Sequence, residues 1–379
     1  MKRRFRFSIL LLAGILLLGA GLAGLASVRN VMQYAFLPPA DAGTSMLKFY
    51  DESLKDMTAA FPRLTLYGVK AGAELGTEDR TRQGNVTVYA VGPSWYEVYP
   101  TKLRSGRPLV RLDAENRADV IVLDEKTAFQ LFHTLDVEGK TLKMGEEEKE
   151  YTVAGVADHS RRIGETGEYA AWMPLDRLAG CDLMVLAAPA EAVNRFPMFE
   201  NQARTALQGF GTGTAIDISK EKSRAMLPLL VVFTVLAVWL LARWIRWLAG
   251  FSRRRLEKVK AESKRRYTLQ LLPYAAGQLL PALLLAVLTL AACYGTAVLA
   301  VSPMKVFPEW IPDALGEYDS WIGRFWALAA EGAKPVSLKT AELVEVQFCS
   351  GLIQWGTLLV LLRAVKKVLA GIGRKDPQA

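Results

Sequence analysis

The stretch SILLLAGILLLGAGLAGLASV (Ser8–Val28) contains no charged residue. It is long enough to cross the hydrocarbon core of a bilayer, which needs about 20 apolar residues. Three more uncharged, apolar stretches follow it, at Met226–Ala242, Leu271–Val301 and Val346–Leu362. The sequence therefore predicts an integral membrane protein with four transmembrane α-helices.

The charge between these stretches alternates in sign along the chain. The N-terminus carries +4, Arg29–Ala225 carries −4, Arg243–Gln270 carries +8, Ser302–Glu345 carries −3, and the tail from Arg363 carries +4. Short segments rich in Lys and Arg stay in the cytoplasm. We therefore expect both termini and the Arg243–Gln270 segment inside the cell, and the two acidic regions outside it.

This topology divides the chain into seven segments. Residues 1–28 form the cytoplasmic N-terminus and the first transmembrane helix, and residues 29–225 form a large extracytoplasmic domain. The remaining segments are a second transmembrane helix at 226–248, a basic cytoplasmic loop at 249–270, a third helix at 271–301, an external loop at 302–345, and a fourth helix with a cytoplasmic tail at 346–379.

Two of these segments leave alternatives open. The first could be a signal peptide, because Gly24-Leu25-Ala26 matches the small-x-small pattern of a cleavage site. Its 21 residues exceed the usual 7–15 apolar residues of such a peptide, so we expect an uncleaved anchor. The external loop contains the apolar and aromatic residues Leu315, Tyr318, Trp321, Ile322, Phe325, Trp326 and Leu328. They favour either an amphipathic helix in the headgroup layer or a helix packed on the external domain.

The net charge of +9 does not indicate a nucleic-acid partner. The basic excess lies beside the apolar stretches, where it would face anionic lipid headgroups. The only large soluble region, Arg29–Ala225, is slightly acidic, so no nucleic-acid binding is expected.

The external domain alternates apolar and polar residues in short runs, which is typical of half-buried strands. Such runs are Asn85–Val91, Asp119–Leu123, Tyr151–Val156 and Asp182–Leu186. Helical patterns separate them, at Ser45–Phe61 with Ser45 as its N-cap, and more weakly at Lys126–Leu131, Leu175–Leu178 and Glu191–Leu207. This mixture predicts an α+β domain with a mixed sheet.

A series of short motifs between Tyr89 and Leu178 follows a known order. The motifs are Ala90-Val-Gly-Pro-Ser-Trp-Tyr-Glu-Val98, Leu103-Arg-Ser-Gly-Arg107, Asp119-Val-Ile-Val-Leu123, Ala128-Phe-Gln-Leu-Phe132, Asp136-Val-Glu-Gly-Lys140, Tyr151-Thr-Val-Ala-Gly-Val-Ala-Asp158 and Met173-Pro-Leu175. Their order resembles the periplasmic core domain of MacB/FtsX-type ABC-transporter permeases. That family also places this domain between its first and second transmembrane helices. Turn chemistry carries much of the resemblance: Gly106-Arg107 permits a tight turn with a positive φ, and Gly139-Lys140 opens a predicted strand at Thr141–Met144.

The resemblance implies a function that this chain would perform with partners. Such permeases work by mechanotransmission with a separate ABC ATPase subunit, and as dimers, so a second permease copy in a homodimer or heterodimer is implied. In the family the motion serves the export of peptides, antibiotics or lipids, or the control of cell-wall hydrolases. The alternative is a non-transporting, membrane-anchored binding or sensing protein that recruits an envelope partner.

The resemblance also places candidate coupling and hinge residues. Arg253–Arg266 lies where the family docks its ATPase, although the family's glycine is missing, and the candidates are Arg254, Leu256, Val259, Lys260 and Ser263. The cations there would contact the ATPase or, alternatively, only membrane lipids. Pro273, Gly277 and Pro281 interrupt the start of the third apolar stretch and predict either a hinge or a tolerated kink.

No motif for catalysis, cofactors or metals stands out. The sequence lacks the G-x-x-x-x-G-K-[ST] phosphate loop, and its two histidines, His133 and His159, are too few for an evident metal cage or nucleophile–base pair. Asp158-His159 is expected in a solvated loop, and Glu146–Glu148 at a solvated hairpin tip. The uncharged apolar stretches argue against a secondary transporter or channel, since those use buried charges.

Overall fold

The computed structural model describes residues 2–38, 45–78, 81–145, 149–159, 161–165, 167–178, 180–190, 195–211, 213–264, 267–306 and 338–372. The chain forms two compact units. One unit comprises Met1–Gly14, Ser223–Lys334 and Ile353–Ala379, and the other comprises Ile15–Lys222 and Pro335–Leu352.

The helices and strands alternate irregularly in the larger unit. In chain order the helices are α1 Lys2–Ser27, α2 Met46–Glu52, α3 Lys55–Ala60, α4 Trp95–Val98, α5 Arg111–Glu115, α6 Glu125–Phe132, α7 Phe196–Ala206, α8 Ile218–Glu262, α9 Thr268–Val306 and α10 Ala341–Ile372. The strands are β1 Val31–Phe36, β2 Thr65–Thr77, β3 Gln83–Val91, β4 Lys102–Gly106, β5 Val120–Asp124, β6 Thr141–Met144, β7 Lys149–Asp158, β8 Ala170–Pro174, β9 Leu183–Pro189 and β10 Thr214–Asp217.

Four of the described helices are long and apolar enough to cross a membrane, as the hydropathy predicts: α1, α8, α9 and α10. Helix α8 is 45 residues long and includes both the second apolar stretch and most of the basic segment after it. Between Ala242 and Glu262 only Gly250 is a weak helix former, and Arg, Leu, Lys and Glu dominate, so nothing ends the helix at the membrane boundary.

Helix α10 begins at Ala341, five residues before the apolar stretch that predicted it. Glu342 and Glu345, which the sequence assigned to the external loop, are therefore residues of its first two turns, and both side chains are buried. The aromatic residues of the external loop, the Glu146–Glu148 tip, Arg265–Arg266 and the end of the tail lie outside the described residues.

The described strands form one mixed sheet in the order β10-β1-β9-β2-β3-β8-β5-β7-β4, with β6 pairing with both β2 and β7. The pairs β3–β8 and β5–β7 are parallel and the others antiparallel. The four alternating runs overlap β3, β5, β7 and β9, and the strand predicted at Thr141–Met144 is β6. Strands β1, β2, β4 and β10 were not predicted. Strand β1 closely follows a transmembrane helix and reads as a continuation of its apolar run.

The core of the sheet domain lies against one set of short helices. Helices α2, α3, α6 and α7 contribute Phe49, Met57, Leu131 and Phe199 to it, and the ring of Phe61 contacts that of Phe199 edge-on at 5.6 Å. The prediction of a single helix over Ser45–Phe61 was wrong in one respect. Ser45 does cap α2, but the chain breaks at Ser53 and Leu54, and the break allows Leu54 to be fully buried.

The predicted tight turn at Gly106 is confirmed. Its φ is +70°, a left-handed conformation that favours glycine, and a Cβ there would lie 2.3 Å from the carbonyl oxygen of Ala154 in the neighbouring strand. Gly139 also has a positive φ, +77°, but a Cβ there would meet no atom within 4 Å. A side chain at Gly139 would therefore add backbone strain alone, whereas one at Gly106 would add both backbone strain and a steric overlap.

This difference yields a first prediction. Gly139→Ala should lower the free energy of unfolding by about 1–2 kcal/mol, the cost of a left-handed alanine. Gly106→Ala should lower it by a further ~2 kcal/mol or more, because strand backbone cannot move away from the new methyl group. Urea denaturation of the purified chain in a mild detergent measures both. Equal losses in the two variants would contradict the close approach at Gly106.

Candidate functional site

Three of the transmembrane helices meet the sheet domain at the strand β1. Only three residues separate Ser27, the end of α1, from Val31, where β1 begins, and α8 starts at Ile218 directly after β10. Strands β1 and β10 are paired, with Met32 opposite Asp217. The Nζ atom of Lys222, in the first turns of α8, donates hydrogen bonds to the Val28 carbonyl at 2.8 Å and the Asn30 side chain at 2.9 Å. These bonds hold the start of α8 to the connection between α1 and β1.

A buried polar cluster attaches α10 to the same strand. Gln33 in β1 is completely buried, and its Nε2 donates to Glu342 Oε2 at 2.9 Å and to the Tyr99 hydroxyl at 3.1 Å. Its Oε1 accepts a bond of 2.6 Å from the hydroxyl of Thr340, the residue before α10. We call Gln33, Tyr99, Thr340 and Glu342 the junction network. All four are buried, so each bond replaces contacts with water that burial removed.

A cavity of about 360 Å³ adjoins the junction network. We call it the junction cavity. Its walls come from β2, β3, β8 and β9, from α4 and its connection to β4, from the connections after α1 and β7, and from the start of α10. The lining residues used below are Arg29, Tyr67, Tyr89, Trp95, Tyr99, Lys102, Asp158, His159, Arg162, Glu165, Trp172, Lys339 and Glu342.

Five aromatic rings form a continuous wall of this cavity. Trp95 contacts Tyr99 at a centroid distance of 4.4 Å and Tyr67 at 4.9 Å, and Tyr89 stacks on Trp172 at 6.1 Å. Burial raises the pKa of Tyr67 and Tyr99 well above the ordinary value, so both hydroxyls stay protonated. The wall is therefore uncharged and presents ring faces with a few hydroxyl groups.

Two arginines, Arg29 and Arg162, line the cavity. Arg29, the second residue after the end of α1, donates hydrogen bonds to the carbonyls of Val98 at 2.9 Å and Pro100 at 3.1 Å. Burial and then the nearby charge of Arg162 lower the pKa of Arg29. The two guanidinium charges therefore repel each other, while the nearby Glu342 carboxylate raises the pKa of Arg29. Among the described residues, neither guanidinium forms a salt bridge to a carboxylate.

Asp158 and His159 were expected in a solvated loop, and the structure shows that this was wrong. Asp158 ends β7 and its carboxylate lies 3.3 Å from the guanidinium of Arg104. The His159 side chain is only 17% exposed; its Nε2 lies 3.1 Å from Glu165 Oε2, and its ring packs edge-on against Trp172. The burial comes from Glu165 and from Trp172 of β8, which the alternation of residues around His159 does not indicate.

The predicted coupling residues lie in the last turns of α8 and just after it. Leu256 is 58% exposed, Val259 is partly buried, and Arg254, Lys260 and Ser263 are exposed. The neighbouring Arg255 donates to Gln278 Oε1 in α9 at 2.5 Å, as a bond between two helices of the same unit. Leu256 and Val259 thus offer a small apolar surface among cations.

The predicted hinge residues are all inside α9, which is one helix from Thr268 to Val306. Pro273 and Pro281 each remove one backbone donor from it. A Cβ at Gly277 would meet no atom within 4 Å. Within the described residues no group of three or more His, Cys, Asp or Glu side chains is placed to hold a metal ion.

Comparisons with known proteins agree with the motifs. The family model of the MacB-like periplasmic core domain matches residues 8–196. A macrolide export ATP-binding/permease protein MacB of Hahella chejuensis is 38% identical over 92 residues, 24% of this chain and 14% of that protein. A probable syringafactin export ATP-binding/permease protein SyfD of Pseudomonas syringae is 31% identical over 111 residues, 29% of this chain and 17% of that protein. The matches thus span less than a fifth of either relative.

Among solved structures, the periplasmic region of MacB from Actinobacillus actinomycetemcomitans is similar, with a TM-score of 0.38 and 16% sequence identity. The alignment covers 52% of this chain and 91% of that one.

The junction network yields a second prediction. Gln33→Leu should lower the free energy of unfolding by about 3 kcal/mol or more, because it leaves a buried carboxylate and two buried hydroxyls without their partner. Gln83→Leu, at an exposed position of β3, should change it by less than about 0.5 kcal/mol. Denaturation in detergent, followed by tryptophan fluorescence, measures both. A loss at position 33 no larger than at 83 would show that the network is not a stabilising contact.

Proposed function

The chain belongs to the family of proteins with a MacB-like periplasmic core domain, and on this premise we propose that it is the permease-type transmembrane subunit of an ABC transporter working by mechanotransmission. It is a multi-pass membrane protein with an α+β domain of that type. We propose further that both termini are cytoplasmic, as the alternation of charge favours.

The observation that carries the proposal is the direct connection between the sheet and the helices. Helix α8 runs about 67 Å, at 1.5 Å per residue, from the sheet strand β10 to its basic end, with Pro228 as its one internal proline. Because β10 continues into α8 without a linker, a movement of the basic end acts on the sheet through a helix. The bonds of Lys222 hold the start of α8 to the connection between α1 and β1, and those of the junction network hold the start of α10 to β1.

The energy would come from a separate ATPase subunit. This sequence holds no phosphate-loop motif, whereas the two relatives are named as proteins that are both ATP-binding and permease. A second permease copy, identical or different, would complete the assembly, and membrane lipids would surround the cations near Arg254 and Lys260. Export or envelope maintenance is the process that such motion would serve.

A third prediction tests the coupling residues. Leu256→Asp combined with Val259→Asp should lower permease-stimulated ATP hydrolysis at least about tenfold, because two carboxylates would be forced into an apolar contact with the ATPase. The measurement is the hydrolysis rate of the complex in lipid nanodiscs, after membrane insertion of the variant has been verified.

The neutral pair Leu256→Ser and Val259→Ser is the control that separates protein from lipid contact. If an ATPase docks there, the serine pair also weakens stimulation, since the apolar contact is lost. If the segment contacts only lipid, the serine pair is silent and only the change of net charge matters. Purification from native membranes without any ATPase would instead favour the binding or sensing protein.

A fourth prediction tests the hinge. Gly277→Ala should reduce the stimulated hydrolysis rate several-fold while leaving stability unchanged or slightly higher, because alanine stiffens the helix by about 1 kcal/mol and has room for its methyl group. Gly295→Ala in the same helix also has free space and serves as the matched control. Equal rates in both variants would identify the two prolines as a tolerated kink.

A further inference from the structure

The junction cavity lies where two transmembrane helices end. Arg29 is the second residue after the end of α1, and Thr340 and Glu342 lie at the start of α10. In the topology proposed above the sheet domain is extracytoplasmic, which puts these helix ends at the outer surface of the membrane. Trp and Tyr side chains favour the headgroup layer, where one part of a ring is apolar and another is wet. The aromatic wall of the cavity is thus placed beside the outer leaflet.

The carboxylates of this cavity already have partners. Glu342 accepts from Gln33, Glu165 accepts from the backbone N–H of Arg162 at 2.8 Å and lies beside His159, and Asp158 lies beside Arg104. A cationic ligand would therefore have to compete with bonds that are already formed.

The cations are in the opposite situation. Within the described part of the chain, the side chains of Arg162, Lys102 and Lys339 make no hydrogen bond or salt bridge. Arg29 donates hydrogen bonds only to neutral carbonyls, and its guanidinium lies 5.8 Å from the centre of the Tyr99 ring. Besides burial, the charge of Arg162 lowers the pKa of Arg29 by repulsion, and the Glu342 carboxylate offsets this only in part. An anion placed between them would relieve that repulsion and accept charge-assisted hydrogen bonds.

We propose that the junction cavity binds an amphiphile with an anionic headgroup, with its phosphate or carboxylate between Arg29 and Arg162 and its apolar part on the aromatic wall. The volume of about 360 Å³ is within the range of about 300–1,000 Å³ that small-molecule pockets occupy. Binding at this site does not depend on coupling to an ATPase, so it stands or falls separately from the mechanotransmission proposed above.

The test uses the full chain, purified in the neutral detergent dodecyl maltoside, and isothermal titration calorimetry. The probes are octyl phosphate, its neutral counterpart octyl glucoside, its cationic counterpart octyltrimethylammonium, and inorganic phosphate. We expect octyl phosphate to bind at least about tenfold more tightly than each of the other three, since only it offers both charge-assisted hydrogen bonds and apolar contact.

Two substitutions that each remove one positive charge locate the binding site. Arg162→Gln should weaken octyl phosphate at least about tenfold, whereas Arg161→Gln, at an exposed residue that does not line the cavity, should change the affinity less than about twofold. The matched pair also removes any contribution from probe dissolved in the micelle. Lys339 also lines the cavity and is exposed, so its substitution does not disturb the fold. Lys339→Gln should weaken binding about threefold.

Several results would overturn the proposal. Equal affinity for octyltrimethylammonium would show a cation site, and equal affinity for inorganic phosphate would show a free-phosphate site without an apolar subsite. Equal losses in Arg162→Gln and Arg161→Gln would place the binding outside the cavity. Normal octyl phosphate binding in a chain that stimulates no ATPase would leave this proposal intact and remove only the transport mechanism.

Discussion

The position of strand β1 constrains the rest of this structure. Three residues separate it from the preceding transmembrane helix, and it pairs on one side with β9 and on the other with β10. Because β10 leads directly into α8, this one strand brings the first and second transmembrane helices to the same part of the sheet. Every residue of β1 is buried, so the chain cannot leave the membrane helix through a flexible linker.

Burial of a polar side chain in that strand has a second consequence. A buried glutamine needs partners for its amide, and Gln33 finds them in Tyr99, Thr340 and Glu342. Two of those partners belong to the start of α10, more than 300 residues later in the chain. The need to satisfy one amide therefore attaches the fourth transmembrane helix to the strand that already joins the first two.

The same crowding of helix ends and strands leaves the junction cavity beside them. Its aromatic wall comes from strands β2, β3 and β8 and from the segment that carries Trp95 and Tyr99. Its charged groups come from β4, from the end of β7, from the connections after α1 and β7, and from the start of α10. Packing of the rings does not account for the two arginines, since burial and the charge of Arg162 lower the pKa of Arg29. Charge repulsion retained within a partly buried site is more typical of ligand binding than of packing.

Sequence reasoning predicted the short elements of the domain unevenly. Strands with clear alternation, such as those within β5 and β7, were found, because alternation reports one buried face. Strands β1 and β2 were missed: β1 is buried on both faces and reads as more of the preceding span, and β2 carries a bulge between Lys70 and Ala73 that breaks its period. Ser45 was recognised as an N-cap, but the break after Ser53 depends on where Leu54 can be buried.

The sequence by itself determined the four membrane-spanning helices, the class of the external domain and its turn glycines, because hydropathy and backbone conformation are local properties. The tertiary structure alone decided the junction network and the junction cavity. Gln33, Tyr99, His159, Arg162 and Glu342 are ordinary residues in their local contexts, and none belongs to a recognisable motif. They become a site only because antiparallel pairing and burial bring distant segments together, and those contacts depend on the whole sheet.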